Sequence, residues 1–539
     1  MPGANGVHQT RRPLHRSRPQ GVTSAFGRAA PLAALVLVAA CGLKQMERRT
    51  ADPTDTSTLD RAAPYLKVHM RTGHAWVLTG WQIDDAARIV TGEGMHLDIN
   101  RMRIDSTTAI IPLDSVVLFE TNSTRLQGEV LALAVFAGVS AGLTVYCLTN
   151  NKACFGSCPT FWVSDGRTDV LQAEAFSHAV APSLEARDVD ALFRVRPDGD
   201  RLRVRMTNEA LETHVVRSVS MLALRRPAQG RVFATEGGFR QATRLIAPAA
   251  CRAAEGDCAA AVALFDGAER SSRADAADLG ARETIDIAFD IASDAPAGER
   301  WGVVIAARQT LLSTYLFYRA LAYMGTMASD FLAALERGDG ATRERALGMR
   351  AALGGIEVLA RDADGEWVVT GEIHETGPLA TDVHLIDLAG RAPGAVRLRL
   401  TSGHWRIDWL ALAQLGGAAA PRRIEPARVL RLEADGAEIL DEAARQTLLD
   451  PARSLITLPG DAYALEFELP DDAEYELFLD SRGYYLEWMR REWITEQNTA
   501  RAFMMLTDAA RALRVLAPEY TAIEAQMDAV FWSSRYVRR

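Results

Sequence analysis

Between residues 66 and 122 apolar side chains recur at every second position and short polar runs interrupt them. LKVHM, HAWVLTGW, RIVTGEGMHL and TTAIIPLDSVVLFET read as strands, with RTG, DDA and LDIN as turns. Several short strands in so compact a stretch predict a small β-barrel over 65–123, Sm- or SH3-like. The same two-residue period returns further on. Leu202, Val204 and Met206 alternate with Arg201, Arg203 and Arg205, and VVRSVSMLAL supplies a partner strand. A β-sandwich is expected over 154–305.

The period then changes. Leu311, Leu312, Tyr315, Leu316, Tyr318, Leu321, Met324, Met327, Phe331 and Leu332 form one broad helical face, and Gly338 and Gly340 are expected to end it. ATRERALGMRAALGG reads as a second, shorter helix, so 306–356 is assigned as a helical segment. Alternation resumes at Val396, Leu398 and Leu400 against Arg397 and Arg399, and Trp405, Ile407 and Trp409 are expected on one strand face. By strand pattern alone 357–484 resembles the jelly rolls of galactose-binding-like domains. Residues 485–539 are expected as C-terminal helices broken at Pro518. The fold class expected is mainly β with helical insertions (α+β).

Two apolar runs ask a different question. Residues 29–40 (AAPLAALVLVAA) follow Arg28 and end at Cys41, and residues 1–40 hold five arginines and no acid. That length and charge suit a signal peptide and are too short to span a bilayer. Val38-Ala39-Ala40-Cys41 resembles the lipobox of bacterial lipoproteins, which implies cleavage before Cys41 and acylation of it. Residues 41–64 are polar and aperiodic, and read as a flexible tether.

The second run, 130–149, carries no charge. As a helix it would be about 30 Å long, enough to cross a membrane. Ala134, Gly138 and Gly142 repeat at the small-xxx-small spacing of packed membrane helices. A transmembrane helix here would fix the protein in the inner membrane and turn the rest of the chain to the cytoplasm. A Gly-rich buried helix would leave it on the periplasmic or outer-membrane face. Cysteines bear on that choice. The close pairs Cys154/Cys158 and Cys251/Cys258 read first as disulfides of an oxidising compartment, then as free thiols, and last as a zinc site, since they lack tight CxxC spacing.

A net charge of −9 argues against a nucleic-acid partner, because phosphate binding needs a positive surface. Ser157-Cys158-Pro159 with Asp165-Gly166, and later Asn208-Glu209 with Glu212-Thr213, resemble a family of bacterial envelope membrane proteins with an SCP-x-x-x-x-DG opening after an apolar helix, here with five residues, 160–164, between Pro159 and Asp165. The resemblance covers roughly residues 66–225. It implies an envelope location and brings no activity with it. Asn208, Glu209 and Glu212 read as turn and cap residues.

No nucleophile elbow, zinc-protease helix, phosphate loop or dinucleotide fingerprint occurs, so no catalytic residue, cofactor or metal is assigned. The best polar cluster is His374, Glu375, Asp382 and His384, with His404 near in sequence. Asp382 and His384 would share a strand face and could serve a metal or an acid–base pair. The Trp405/Trp409 face could stack on a sugar. The function expected is a membrane-anchored envelope lipoprotein of structural or binding type, with a protein or glycan partner. The alternatives are a carbohydrate-binding jelly roll and a metal-dependent hydrolase.

Overall fold

The computed structural model describes residues 44–126 and 158–534, apart from 52, 54, 55, 58, 64, 71–73, 98–102, 211, 229, 292–298, 337–339, 375, 472–473, 489–492, 494 and 495. The 130–149 segment, Cys41, Cys154 and Glu375 lie outside the described residues. Among those described, no helix is long and apolar enough to cross a membrane. The chain forms two units, residues 1–46 with 124–133, and residues 47–123 with 134–539. The first is described only at its strand ends.

The protein is mainly β, with 48% strand against 20% helix. Near the N-terminus six strands form one sheet in the order Lys44–Ala51, Val116–Leu126, Tyr65–Met70, Ala75–Asp84, Ile89–Leu97 and Arg103–Pro112. A single 3-10 turn, Leu113–Ser115, joins the last two strands of the chain order. Leu66, Val68, Leu78, Val90, Ile111 and Phe119 fill its core, as the alternation requires.

Beyond residue 158 sheets are assembled from distant stretches. Thr160–Ser164 and Arg201–Thr207 pair with each other, and Arg201–Thr207 also pairs with Ala462–Glu468. Glu212–Arg225 pairs along its length with Tyr475–Glu487. The two sheets so formed share one core, in which Val204 and Phe467 of the first meet Val219 and Leu479 of the second. Leu202, Val204 and Met206 point inward and Arg201 and Arg203 outward, so the RLRVRM alternation places both sets of side chains. Each buried aliphatic side chain contributes about 1.5–3 kcal/mol.

Residues 231–419 are inserted between those halves. Arg231–Thr235, Gly238–Ile246, Trp405–Ala419, Trp301–Gln309 and Asp382–Asp387 pair in that order, and the last returns in parallel to the first. They close a five-stranded barrel in a region whose alternation suggested sandwich strands. A neighbouring sheet runs Gly256–Asp257, Ala250–Ala253, Arg282–Ala288, Ala392–Thr401, Ile356–Arg361 and Trp367–Ile373. Its outer face carries the cross-strand ion pairs Arg397–Asp286 and Arg399–Glu357. Its inner face packs Ile285, Val358 and Leu398 against Val303, Ile305 and Trp405 of the barrel.

Helices supply a further core: α1 (Leu312–Met324), α2 (Ala328–Glu336), α3 (Gly340–Leu353), α5 (Thr499–Thr507), α6 (Ala509–Thr521) and α7 (Met527–Ser534). Helix α4 (Glu442–Leu449) instead packs Ala444 and Leu448 into the core shared by the two sheets. The single apolar face expected over 306–338 is divided at Gly325, whose φ is +56° and where a Cβ would lie 2.5 Å from the Gln497 side chain. Strand Trp301–Gln309 also runs past 306. At the C-terminus, strand Tyr475–Glu487 runs past 485, and the helical break falls at Asp508. That side chain accepts from Arg511 N at 3.0 Å and caps α6, while Pro518 sits inside the same helix.

Candidate functional site

The residues singled out from the sequence scatter. His374 is 73% exposed, with Nδ1 3.6 Å from Glu372 Oε1. Asp382 and His384 do come together on one barrel strand, with Nε2 3.1 Å from Oδ2. The attraction between them is Coulombic in the first place. Asp382 Oδ1 accepts from Ala191 N at 3.0 Å and Val383 N at 2.8 Å. His404 sits elsewhere, beside Gln309. Among the described residues no group of three or more His, Cys, Asp or Glu side chains is placed to hold a metal ion.

The expected aromatic face does not form. Trp405 is fully buried with Ile407 in the core between barrel and sheet. Trp409 lies on the opposite side, among Phe193, Phe233 and Phe265. The cause is a bulge at Asp408. Ala307 faces Ile407 and the next residue along, Ala306, faces Trp409, so the strand gains one residue and its faces exchange. The two tryptophans cannot stack together on one sugar. Of the cysteines, Cys251 and Cys258 are bonded to each other at the base of the Ala250–Ala253 hairpin. Cys158 is buried at the edge of the helical core.

A cavity of about 160 Å³ lies where the helical core meets the strand ends. Leu316 and Leu321 of α1, Met349 of α3 and Met505 of α5 are among its apolar walls. The polar groups come from far-apart segments, among them Cys158, Glu174, His178, Glu212, Gln309, Tyr318, His404 and Tyr485, and α3 adds the charged side chains of Arg345 and Arg350. The SCP and N-E-x-x-E-T stretches, distinct in sequence, therefore meet at one place. Asn208 is structural as read, with its amide donating to Glu212 O and Thr457 O at 3.0 and 3.1 Å. Glu212 differs from the turn-and-cap reading. It is 1% exposed and opens a strand directly across from Glu487. The Tyr318 hydroxyl reaches both carboxylates, at 3.3 Å for Glu212, and His214 Nε2 lies 3.2 Å from Glu212 Oε2.

The opposite wall is set by a tight turn. Gly403 has φ +72°, and a Cβ there would lie 2.2 Å from Ala274 N, so only glycine fits. The turn is held by Thr310 N donating to His404 O at 2.8 Å and Thr310 Oγ1 to Gly403 O at 2.8 Å. It delivers His404, 1% exposed, against Gln309, with Gln309 Nε2 3.3 Å from His404 Nε2. Among the described residues His404 Nδ1 and Gln309 Oε1 have no hydrogen-bond partner. Burial first, and then the Arg282 charge, lowers the His404 imidazole to about 3. Burial raises the Tyr485 phenol well above its ordinary value, and nearby Cys158 and Glu212 add to that.

A second polar cluster surrounds Asp190 at the barrel's Asp382 end. Burial, followed by the charges of Asp382, Asp188 and Glu174, pushes the Asp190 carboxyl well above its ordinary range. Burial opposes ionisation of Asp382 and His384 too. There the mutual attraction outweighs it, so the carboxyl is lowered and the imidazole raised.

No signal of spacing marks the cavity in the sequence, because its polar residues arrive from chain positions 158 to 485. No protein-family model matches the chain, and no curated protein does. Among solved structures, a Salmonella alpha-2-macroglobulin mutant aligns with 78% of this chain at 9% identity and a TM-score of 0.11. The aligned part is 29% of that protein's length. At that score the likeness carries no argument.

Proposed function

We propose that this chain is an exported, lipid-anchored envelope protein whose task is to bind a small ligand in the cavity beside α1, α3 and α5. The observation that carries the reading is the pairing of an apolar cavity with two buried polar atoms, His404 Nδ1 and Gln309 Oε1, that have no hydrogen-bond partner among the described residues. Buried polar groups are nearly always satisfied, and each one left bare costs about 1–3 kcal/mol. A mostly apolar pocket with a few convergent polar groups is the usual form of a ligand site. Anchoring rests on the 29–40 apolar run and Cys41, and the bonded Cys251–Cys258 pair supports an oxidising compartment. On this reading 130–149 does not turn the rest of the chain to the cytoplasm. The strand–3-10–strand arrangement at 103–126 supports an SH3-like small barrel, and the shared core of the 158–225 and 422–487 strands supports a sandwich.

Glycan binding loses the rings it needed, since Trp405 is enclosed and Trp409 faces the other way. The hydrolase reading loses its geometry, with His374 exposed and His404 on a different wall. The test is thermal denaturation with saturating toluene. A ligand that binds only the folded state raises the midpoint, and Ala346→Phe, which fills the cavity from α3, should abolish the rise. No rise in the unsubstituted protein, with toluene or with six-carbon amphiphiles of similar size, rejects the binding role. Anchoring is tested separately by radiolabelled palmitate, which Cys41→Ser should fail to incorporate.

A further inference from the structure

The polar end of the cavity specifies what kind of head group it accepts. Gln309 Nε2 can only donate, so His404 Nε2 must be the acceptor across their 3.3 Å contact. A neutral imidazole then carries its proton on Nδ1. The bare pair is one donor, His404 Nδ1–H, and one acceptor, Gln309 Oε1. Turning the amide over exchanges the two roles and still leaves one donor and one acceptor. Burial keeps this histidine uncharged at neutral pH, so no positive charge from it awaits an anion.

The walls add a size limit. A cavity of about 150 Å³ lined by aliphatic and aromatic side chains accommodates a molecule such as benzene, and this one measures about 160 Å³. A ligand on the order of six to ten non-hydrogen atoms fits.

Resting on the binding reading above, we propose that the cavity takes an uncharged amphiphile with a short apolar body and a head bearing both a hydrogen-bond donor and an acceptor, of which a primary carboxamide is the simplest. A carboxylate head offers no donor to Gln309 Oε1. An ammonium head offers no acceptor to His404 Nδ1–H. A carboxamide pairs with both.

The experiment is calorimetric titration of the purified full chain with hexanamide, hexanoate and hexylamine, with toluene as the purely apolar probe. Hexanamide should bind at least about ten-fold tighter than either charged analogue, the amount two restored hydrogen bonds supply. Gln309→Leu should remove that advantage while toluene binding persists, which also shows that the variant is folded. Equal or tighter binding of hexylamine or hexanoate, with toluene still bound, overturns the ligand class and leaves the binding role standing. If toluene and all three hexyl compounds fail to bind, the binding role falls and the ligand class with it.

Discussion

His384 and His404 are two imidazoles of the same barrel region, and their surroundings shift their proton affinities in opposite directions. His384 sits mid-strand, 3.1 Å from Asp382, and 28% of its side chain is exposed. His404 sits in the turn before strand Trp405–Ala419, 1% exposed, with an amide for a neighbour and Arg282 as the nearby charge. The first keeps its proton because a carboxylate outweighs desolvation, and the second loses it because nothing does. The charged one is spent on fastening the Ala186–Ala191 strand to the barrel through Asp382. The neutral one is left with an unpaired nitrogen beside a cavity. Burial alone therefore says little about a histidine's role, and the nearest polar partner says most of it.

Breaking the charged pair should have the largest effect. Asp382→Ala removes the carboxylate that holds the His384 proton, so the ring turns neutral, and it takes away the acceptor for Ala191 N and Val383 N. Each buried amide left bare costs about 1–3 kcal/mol. The two together give about 4 kcal/mol. Urea unfolding measures it, and a loss below about 1 kcal/mol would mean that the pair is solvated.

The pH dependence of stability separates the two rings by sign. The folded His404 value, about 3, lies below the ordinary 6.5. The unfolded chain therefore binds more protons, and stability falls on acidification, by on the order of 3 kcal/mol between pH 7 and pH 4. His404→Leu should flatten that limb. His384 runs the other way. Its folded value is raised, so its contribution is complete below pH 6.5 and is lost as pH rises through the folded value. Asp382, whose folded value is lowered, contributes above its unfolded value and loses that contribution as pH falls through the folded one. A His384→Gln protein that still loses stability on moving from pH 6 to pH 9 as the parent does would contradict this assignment.

Much of the architecture could be read from the chain because it depends on local alternation. RLRVRMT and RETIDIA bury their even-numbered and odd-numbered apolar residues respectively, as a two-residue period demands. What could not be read depends on interruptions and on distant pairing. Asp408 looks like any polar strand residue, yet as the bulge it sends Trp409 away from Trp405. Barrel closure needs Asp382–Asp387 to meet Arg231–Thr235 in parallel, a contact across some 150 residues that no local period announces. The cavity suffers most from this. Its donor and acceptor, Gln309 and His404, become neighbours only because strands Trp301–Gln309 and Trp405–Ala419 pair at Gln309 and Trp405. Glu212 was visible in the sequence, but nothing there distinguished a cap from a carboxylate facing a cavity.

Cutting the Gln309–His404 contact is a smaller perturbation than the first two. Gln309→Leu removes the donor to His404 Nε2 and also the bare Oε1. One hydrogen bond is lost and one unsatisfied atom goes with it, so the net cost should be about 1 kcal/mol or less. A loss several times larger would show that Gln309 holds the turn as well as the ring.

The smallest effect tests why His404 is neutral. Burial is the larger cause and Arg282 the lesser. Arg282 also donates to Gly355 O at 3.3 Å, a contact that glutamine can approach. Arg282→Gln should raise the His404 value slightly, leave it far below 6.5, and change stability by less than about 1 kcal/mol. NMR titration of the imidazole ring reads the shift directly. If the substitution carried the ring back toward 6.5, neutrality would be the work of one movable charge, and the cavity's head-group preference would then change with whatever anion met Arg282. If the ring stays neutral, the preference belongs to the enclosed turn at Gly403, which no surface event can alter.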